Sequence, residues 1–234
     1  MAEAREEKHP HIPARNIIDR LVLGGSDGAI EGVATTAALN AAGVDFHTIL
    51  LAGFAFAVAG GLSMFFSSYL SGRAELEALR VDVERERMEI ETEPGEERRE
   101  LEELLAKEGY EKAEVDVIMN RLTKNKEMWL RAQLTHELHL HAEELSSVPV
   151  LRAVPAGLAF FVLGLLALLP YTIATTRFDA LAFSAALSLG ALFVLGSKSF
   201  LLGNFSLKEG IRSAAVGAVA LCLLYAVGLL AGSL

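Results

Sequence analysis

Five long apolar stretches run along the chain, at residues 17–42, 46–70, 152–171, 178–202 and 211–230. A helix needs about 20 mostly apolar residues to cross the hydrocarbon core of a bilayer, and each stretch is long enough. The first is the weakest, because it holds Asp19, Arg20, Asp27 and Glu31. Three of the four connections between them are short, but 73–147 is a long polar interval that reads as three helices. The first, 73–93, continues out of the second apolar stretch. Pro94-Gly95 signals a turn, 96–108 forms the second helix, and Gly109 stops it. A third helical stretch at 112–145 is expected to break near Lys124-Asn125. The pattern predicts an all-α protein: a five-span transmembrane helical bundle with a three-helix acidic insert between spans 2 and 3. Its expected parts are a tail at 1–15, spans 1 and 2 within 16–72, the insert at 73–147, and spans 3 to 5 within 148–234.

Charge sharpens this division. Of 30 acidic and 21 basic residues in the chain, 21 and 12 fall in 73–147, so the whole net charge of −9 sits in that block. The remainder is neutral and strongly apolar, which argues for two environments. An acidic block repels nucleic acid and attracts cations, so nucleic acid is not an expected partner. Cys222 stands alone in an apolar run, which leaves no disulfide within one chain and no cysteine-based zinc site. The first residues lack the apolar core of a signal peptide, so the internal segments are expected to drive insertion.

Lys and Arg positions choose an orientation. Arg5, Lys8, Arg15 and Arg20 lie at the start, Arg73, Arg80 and Arg152 flank the insert, and Lys198, Lys208 and Arg212 flank the last connection. The opposite side has only Arg177. The N-terminus and the insert are therefore expected in the cytoplasm. The short termini lean towards a prokaryotic plasma membrane, or a vacuolar-type membrane in a eukaryote.

Candidate chemistry lies in both parts. Glu86 and Glu89, like Glu97 and Glu100, are three apart and share a helix face. A hairpin at Pro94-Gly95 folds the pairs towards each other, and carboxylates that close are unfavourable unless a cation joins them. Such hard oxygen ligands suit divalent metals. The third helix adds Glu137, with Gln133 one turn earlier and His136, His139 and His141 nearby. On spacing alone a solvated, charge-laced hairpin is the simpler account.

In the first span, Asp27 and Glu31 are four apart on one face. A carboxylate at the bilayer centre costs about 2.5–3.5 kcal/mol on insertion scales, so such groups are expected to face a pathway or partner. Met64 in the second span offers a thioether, with ordinary packing as its simpler role. Carboxylates beside a thioether suit a borderline transition metal better than magnesium or calcium. The abundant glycines and alanines of the spans fit close helix packing. No nucleophile–base pair, P-loop or dinucleotide motif is present, and Gly24-Gly25-Ser26-Asp27-Gly28 has no strand before it, so an enzyme is not expected.

In order and spacing these pieces resemble the vacuolar iron transporter family, proton-coupled exporters of ferrous iron and related metals, from about Asn16 to the C-terminus. The resemblance rests on Gly24-Gly25-Ser26-Asp27-Gly28, on Ser63-Met64 with Tyr69-Leu70, and on Arg85-Glu86-Arg87-Met88-Glu89. Pro94, Glu97-Arg98-Arg99-Glu100, Trp129-Leu130 with Glu137-Leu138, and Leu168-Leu169-Pro170-Tyr171 complete it. It implies a homodimer whose first spans line a central pathway, with Asp27 and Met64 as ligands in the membrane. Glu86, Glu89, Glu97, Glu100 and Glu137 would collect metal in the cytoplasm.

Three positions depart from the pattern. Phe56 stands where the family commonly has glutamate, Gln133 stands where it has methionine, and Glu31 has no counterpart. The expectation is that Glu31 replaces the carboxylate missing at Phe56. The expected cargo is Fe2+, with Mn2+, Co2+ and Zn2+ as alternatives, and no catalytic cofactor. Export would run by proton antiport, because metal needs ionised carboxylates and protons compete for the same oxygens. The rival reading is a membrane-tethered metal sensor or scaffold without transport, which explains the insert but gives Asp27 and Glu31 no task.

Overall fold

The computed structural model describes residues 14–138, 148–197 and 206–233, with side chains from Ile17 onward. Among the described residues every regular element is an α-helix: α1 (Ala14–Ala41), α2 (Phe46–Thr92), α3 (Pro94–Lys107), α4 (Lys112–Leu122), α5 (Lys126–His136), α6 (Pro149–Leu166), α7 (Leu169–Ile173), α8 (Arg177–Gly196) and α9 (Leu207–Gly232). They form two compact units, one from the residues after Ser71 up to the end of the described insert and one from everything else.

In the larger unit, four helical stretches are long and apolar enough to cross a membrane: α2, the α6–α7 stretch Pro149–Ile173, α8 and α9. α1 has 28 residues, about 42 Å of helix, but its charges keep it out of that set. It packs against α6, α8 and α9. Glycines make the approach to α6 possible. A Cβ on Gly24 or Gly28 would overlap the backbone carbonyl of Ala156 or Phe160, and Gly32 lies against Gly164. Spaced four apart, the three glycines form a groove one turn per residue into which the α6 backbone fits. The turn after α1 uses Gly43 at φ +79°, a backbone that favours glycine. Arg177 at the start of α8 ties that turn down, donating to the carbonyls of Gly43 at 2.8 Å and Val44 at 2.7 Å.

Two expected elements differ in detail within the described residues. The third apolar stretch is one span by composition, but its helix begins at Pro149 and is interrupted between Leu166 and Leu169. Pro170 carries no N–H and cannot continue the ladder, and Ser184 of α8 donates to the Ala167 carbonyl at 2.7 Å. Of the helical stretch expected at 112–145, the last described helix, α5, ends at His136 with Glu137 as its C-cap, and residues 139–145 lie outside the described residues. His139 and His141 lie outside the described residues, as does part of 178–202.

The smaller unit is a hairpin with two further helices closing over it. Pro94 opens α3, Glu96 and Glu97 stand in its first turn and Lys107 in its last, matching the helix dipole at both ends. Gly109, at φ +104°, ends the segment. Glu111 and Glu114 form a capping box for α4. The expected break falls between Leu122 and Lys126, where the Asn125 side chain accepts the backbone N–H of Glu127 at 2.9 Å. Leu101, Leu105, Val115, Met119, Trp129, Leu130 and Ile90 make the apolar core. That core joins the end of α2 to α3, α4 and α5.

Candidate metal centre and membrane carboxylates

Three glutamates from three helix segments meet beside this core. Glu86 near the end of α2, Glu97 in the first turn of α3 and Glu137 at the end of α5 each place a carboxylate oxygen within 4.8 Å of the other two. Glu86 and Glu97 are only 1% and 5% exposed, whereas Glu137 is open to solvent. One Glu86 oxygen is buried without a hydrogen-bond partner. Burial, then the charges of Glu137 and Glu97, push the Glu86 carboxyl up to about 8. Glu137 is also raised, by burial and by the charges of Glu100 and Glu97. Like charges are held here in a half-dry place, an arrangement that a divalent cation relieves.

The two acidic pairs do converge, but unequally. Glu86 and Glu97 point into the cluster, while Glu89 and Glu100 sit at its edge, half-buried. Glu100 is pushed up by burial and by Glu97 and Glu96. Gln133, one turn before Glu137, is fully buried and its Nε2 donates to Glu97 Oε2 at 2.6 Å. His136 is not in the cluster: its Nδ1 lies 2.7 Å from Glu108 Oε1. A polar Gln133 between the buried Ala132 and Leu134 was the available signal that α5 turns a polar group inward.

In the larger unit, Asp27 is half-buried and Glu31 exposed, on a side of α1 that its neighbours leave uncovered. Arg20, nearer the start of α1, donates to Ser68 Oγ of α2 at 3.3 Å. Met64 is half-buried on α2. Phe56 packs on Phe160 of α6, ring centroids 6.2 Å apart, and so occupies apolar ground.

Comparison with known proteins fits this arrangement. A model of the VIT family matches residues 18–229. Vacuolar iron transporter 1 of Arabidopsis thaliana is 31% identical over 211 residues, covering 90% of this chain and 84% of that protein. Vacuolar iron transporter 1 of Tulipa gesneriana is 32% identical over 223 residues, covering 95% and 90%. A vacuolar iron transporter of Toxoplasma gondii is 27% identical over 232 residues, covering 95% and 76%.

Proposed function

The chain belongs to the VIT family, and from that premise we propose that it exports a divalent transition metal, ferrous iron first and manganese second, from the cytoplasm in exchange for protons. It is an integral membrane transporter and not an enzyme. In this reading α1 is the fifth span, the N-terminus and the insert face the cytoplasm, and two copies pair along α1. Asp27, Glu31 and Met64 line the pathway, Glu31 supplying the carboxylate that Phe56 lacks. Glu86, Glu97 and Glu137, with Glu89 and Glu100 at their edge, collect the metal.

The observation that carries transport is the position of Asp27 and Glu31. They share one side of a helix packed among membrane helices, and the described residues leave that side partly open. Acids in an apolar setting hold protons when empty and release them to bind metal, so protons from the far side displace the ion. A tethered sensor would need the glutamate cluster but neither of these acids.

The test is flux of Fe2+, Mn2+, Co2+ and Zn2+ into proteoliposomes, with a pH gradient imposed and then collapsed. Gradient-dependent uptake is expected, and Asp27→Ala should lower it at least tenfold. Metal binding without uptake would establish the sensor instead, and wild-type exchange by Asp27→Ala would remove α1 from the pathway.

A further inference from the structure

α1 ends at Ala41, and its last carbonyls, like those of any helix, have no N–H of the same helix to accept from. A side chain from another helix meets them and the turn that follows. Arg177 at the start of α8 donates through Nη1 to the carbonyls of Val44 at 2.7 Å and Asn40 at 3.4 Å, and through Nη2 to the carbonyl of Gly43 at 2.8 Å. Asn40, 7% exposed, answers with Nδ2, which donates to the Arg177 carbonyl at 3.2 Å. Thr176 sets the backbone there, capping α8 by accepting the Asp179 N–H at 3.1 Å. The guanidinium also lies 5.9 Å from the centre of the Phe46 ring, and Phe46 meets Tyr171 edge-on. The Tyr171 hydroxyl donates to the Thr36 carbonyl at 3.4 Å, one turn before Asn40. Parts of α1, α2, α7 and α8 thus meet in one clasp.

The clasp grips α1 away from its acids. Asn40 lies nine residues beyond Glu31, about two and a half turns, and so on the opposite side of the helix. Along its middle, α1 meets α6 through Gly24, Gly28 and Gly32. Glycines let two helices come close, but they carry no side chain that locks one helix against sliding or turning on the other. A fork bound to three carbonyls does lock it, because a guanidinium is planar and its donors are fixed in direction. We propose that Arg177 is a positioning residue for transport: it sets the height and rotation of α1, and through them where Asp27 and Glu31 stand. This inference rests on the reading of those two acids as part of the ion pathway.

The experiment places a spin label at Leu23→Cys in the full-length Cys222→Ser protein, on the side of α1 that carries the acids, where Leu23 is 48% exposed. Label mobility in membranes, and flux of Fe2+ and Mn2+ into proteoliposomes by the unlabelled chain, are compared for wild type, Arg177→Lys and Arg177→Gln at equal amounts of folded protein. Both variants should raise the mobility. Both should also raise the KM for the ion carried by roughly fivefold or more, since a carboxylate displaced by about 1 Å no longer meets the ion correctly. Lysine keeps a charge at the negative end of the α1 dipole but is a point donor without the fork. Rescue of both readouts by Arg177→Lys would therefore overturn positioning and leave only that charge. Raised mobility with an unchanged KM would overturn the role in transport, and unchanged mobility in Arg177→Gln would overturn the clasp itself. A wild-type chain that carries neither ion would instead fell the pathway reading, whatever the label shows, so the two failures are distinguishable.

Discussion

Burial, with Glu137 and Glu97 close by, lifts the Glu86 carboxyl to about 8 from an ordinary 4.5, and this has a defined sign for stability. Between those values the folded chain keeps a proton that the unfolded chain has released. The metal-free protein therefore loses stability as pH rises from about 4.5 to about 8, and the loss is complete above that. Metal binding needs the ionised form, so affinity climbs over the upper part of the same window. Glu86→Gln should flatten the fall of the metal-free unfolding temperature between pH 5 and 8 while weakening metal binding at least tenfold. Thermal unfolding of both proteins in chelator, at three pH values, checks it; parallel slopes would contradict it. That the two acidic pairs come near each other was legible from their spacing around a Pro-Gly turn, although spacing alone left a solvated hairpin the simpler account. Which member of each pair points inward was not, since that depends on how the α2–α3 turn and α5 pack on Leu101 and Trp129. The pairing of His136 with Glu108, 28 residues away, was not legible for the same reason.

At the scale of elements, the contact of α1 with α6 turns on missing Cβ atoms. Gly28 abuts the Phe160 carbonyl, a backbone atom that cannot move aside, whereas a Cβ on Gly25 would meet only the tip of Leu195 at 3.2 Å. Gly28→Ala should therefore destabilise the protein by about 1–3 kcal/mol, the usual cost of overpacking, and Gly25→Ala by clearly less. Comparing the unfolding temperatures of the two variants in detergent decides this, and equal losses would mean that α1 does not approach α6 so closely. Small residues at this spacing announce a close contact in the sequence, but they do not say which helix fills the groove. The helix limits near Pro94, Gly109 and Asn125 were readable because turn and capping chemistry is local. The interruption before Leu169 was not, because the hydroxyl that satisfies the Ala167 carbonyl comes from Ser184.

At the scale of the whole molecule, Leu23, Asp27 and Glu31 recur every four residues on one side of α1. Leu23 is 48% exposed and Glu31 is also open. Turned to lipid, each ionised acid would cost about 2.5–3.5 kcal/mol, and the proposed pairing of two copies along α1 would enclose them. Such pairing would be isologous, with the same α1 positions approaching each other across a two-fold axis. Cys222 is the sole native thiol and is exposed on α9, so a Cys222→Ser background makes cross-linking specific. In it, Leu23→Cys should give an inter-chain disulfide under mild oxidation in membranes. Val219→Cys, 60% exposed on α9, should not, and reducing and non-reducing gels separate the outcomes. Cross-linking through Val219→Cys alone would place the interface on α9 and leave Asp27 and Glu31 facing lipid. A shared carboxylate pathway between two copies could not then exist.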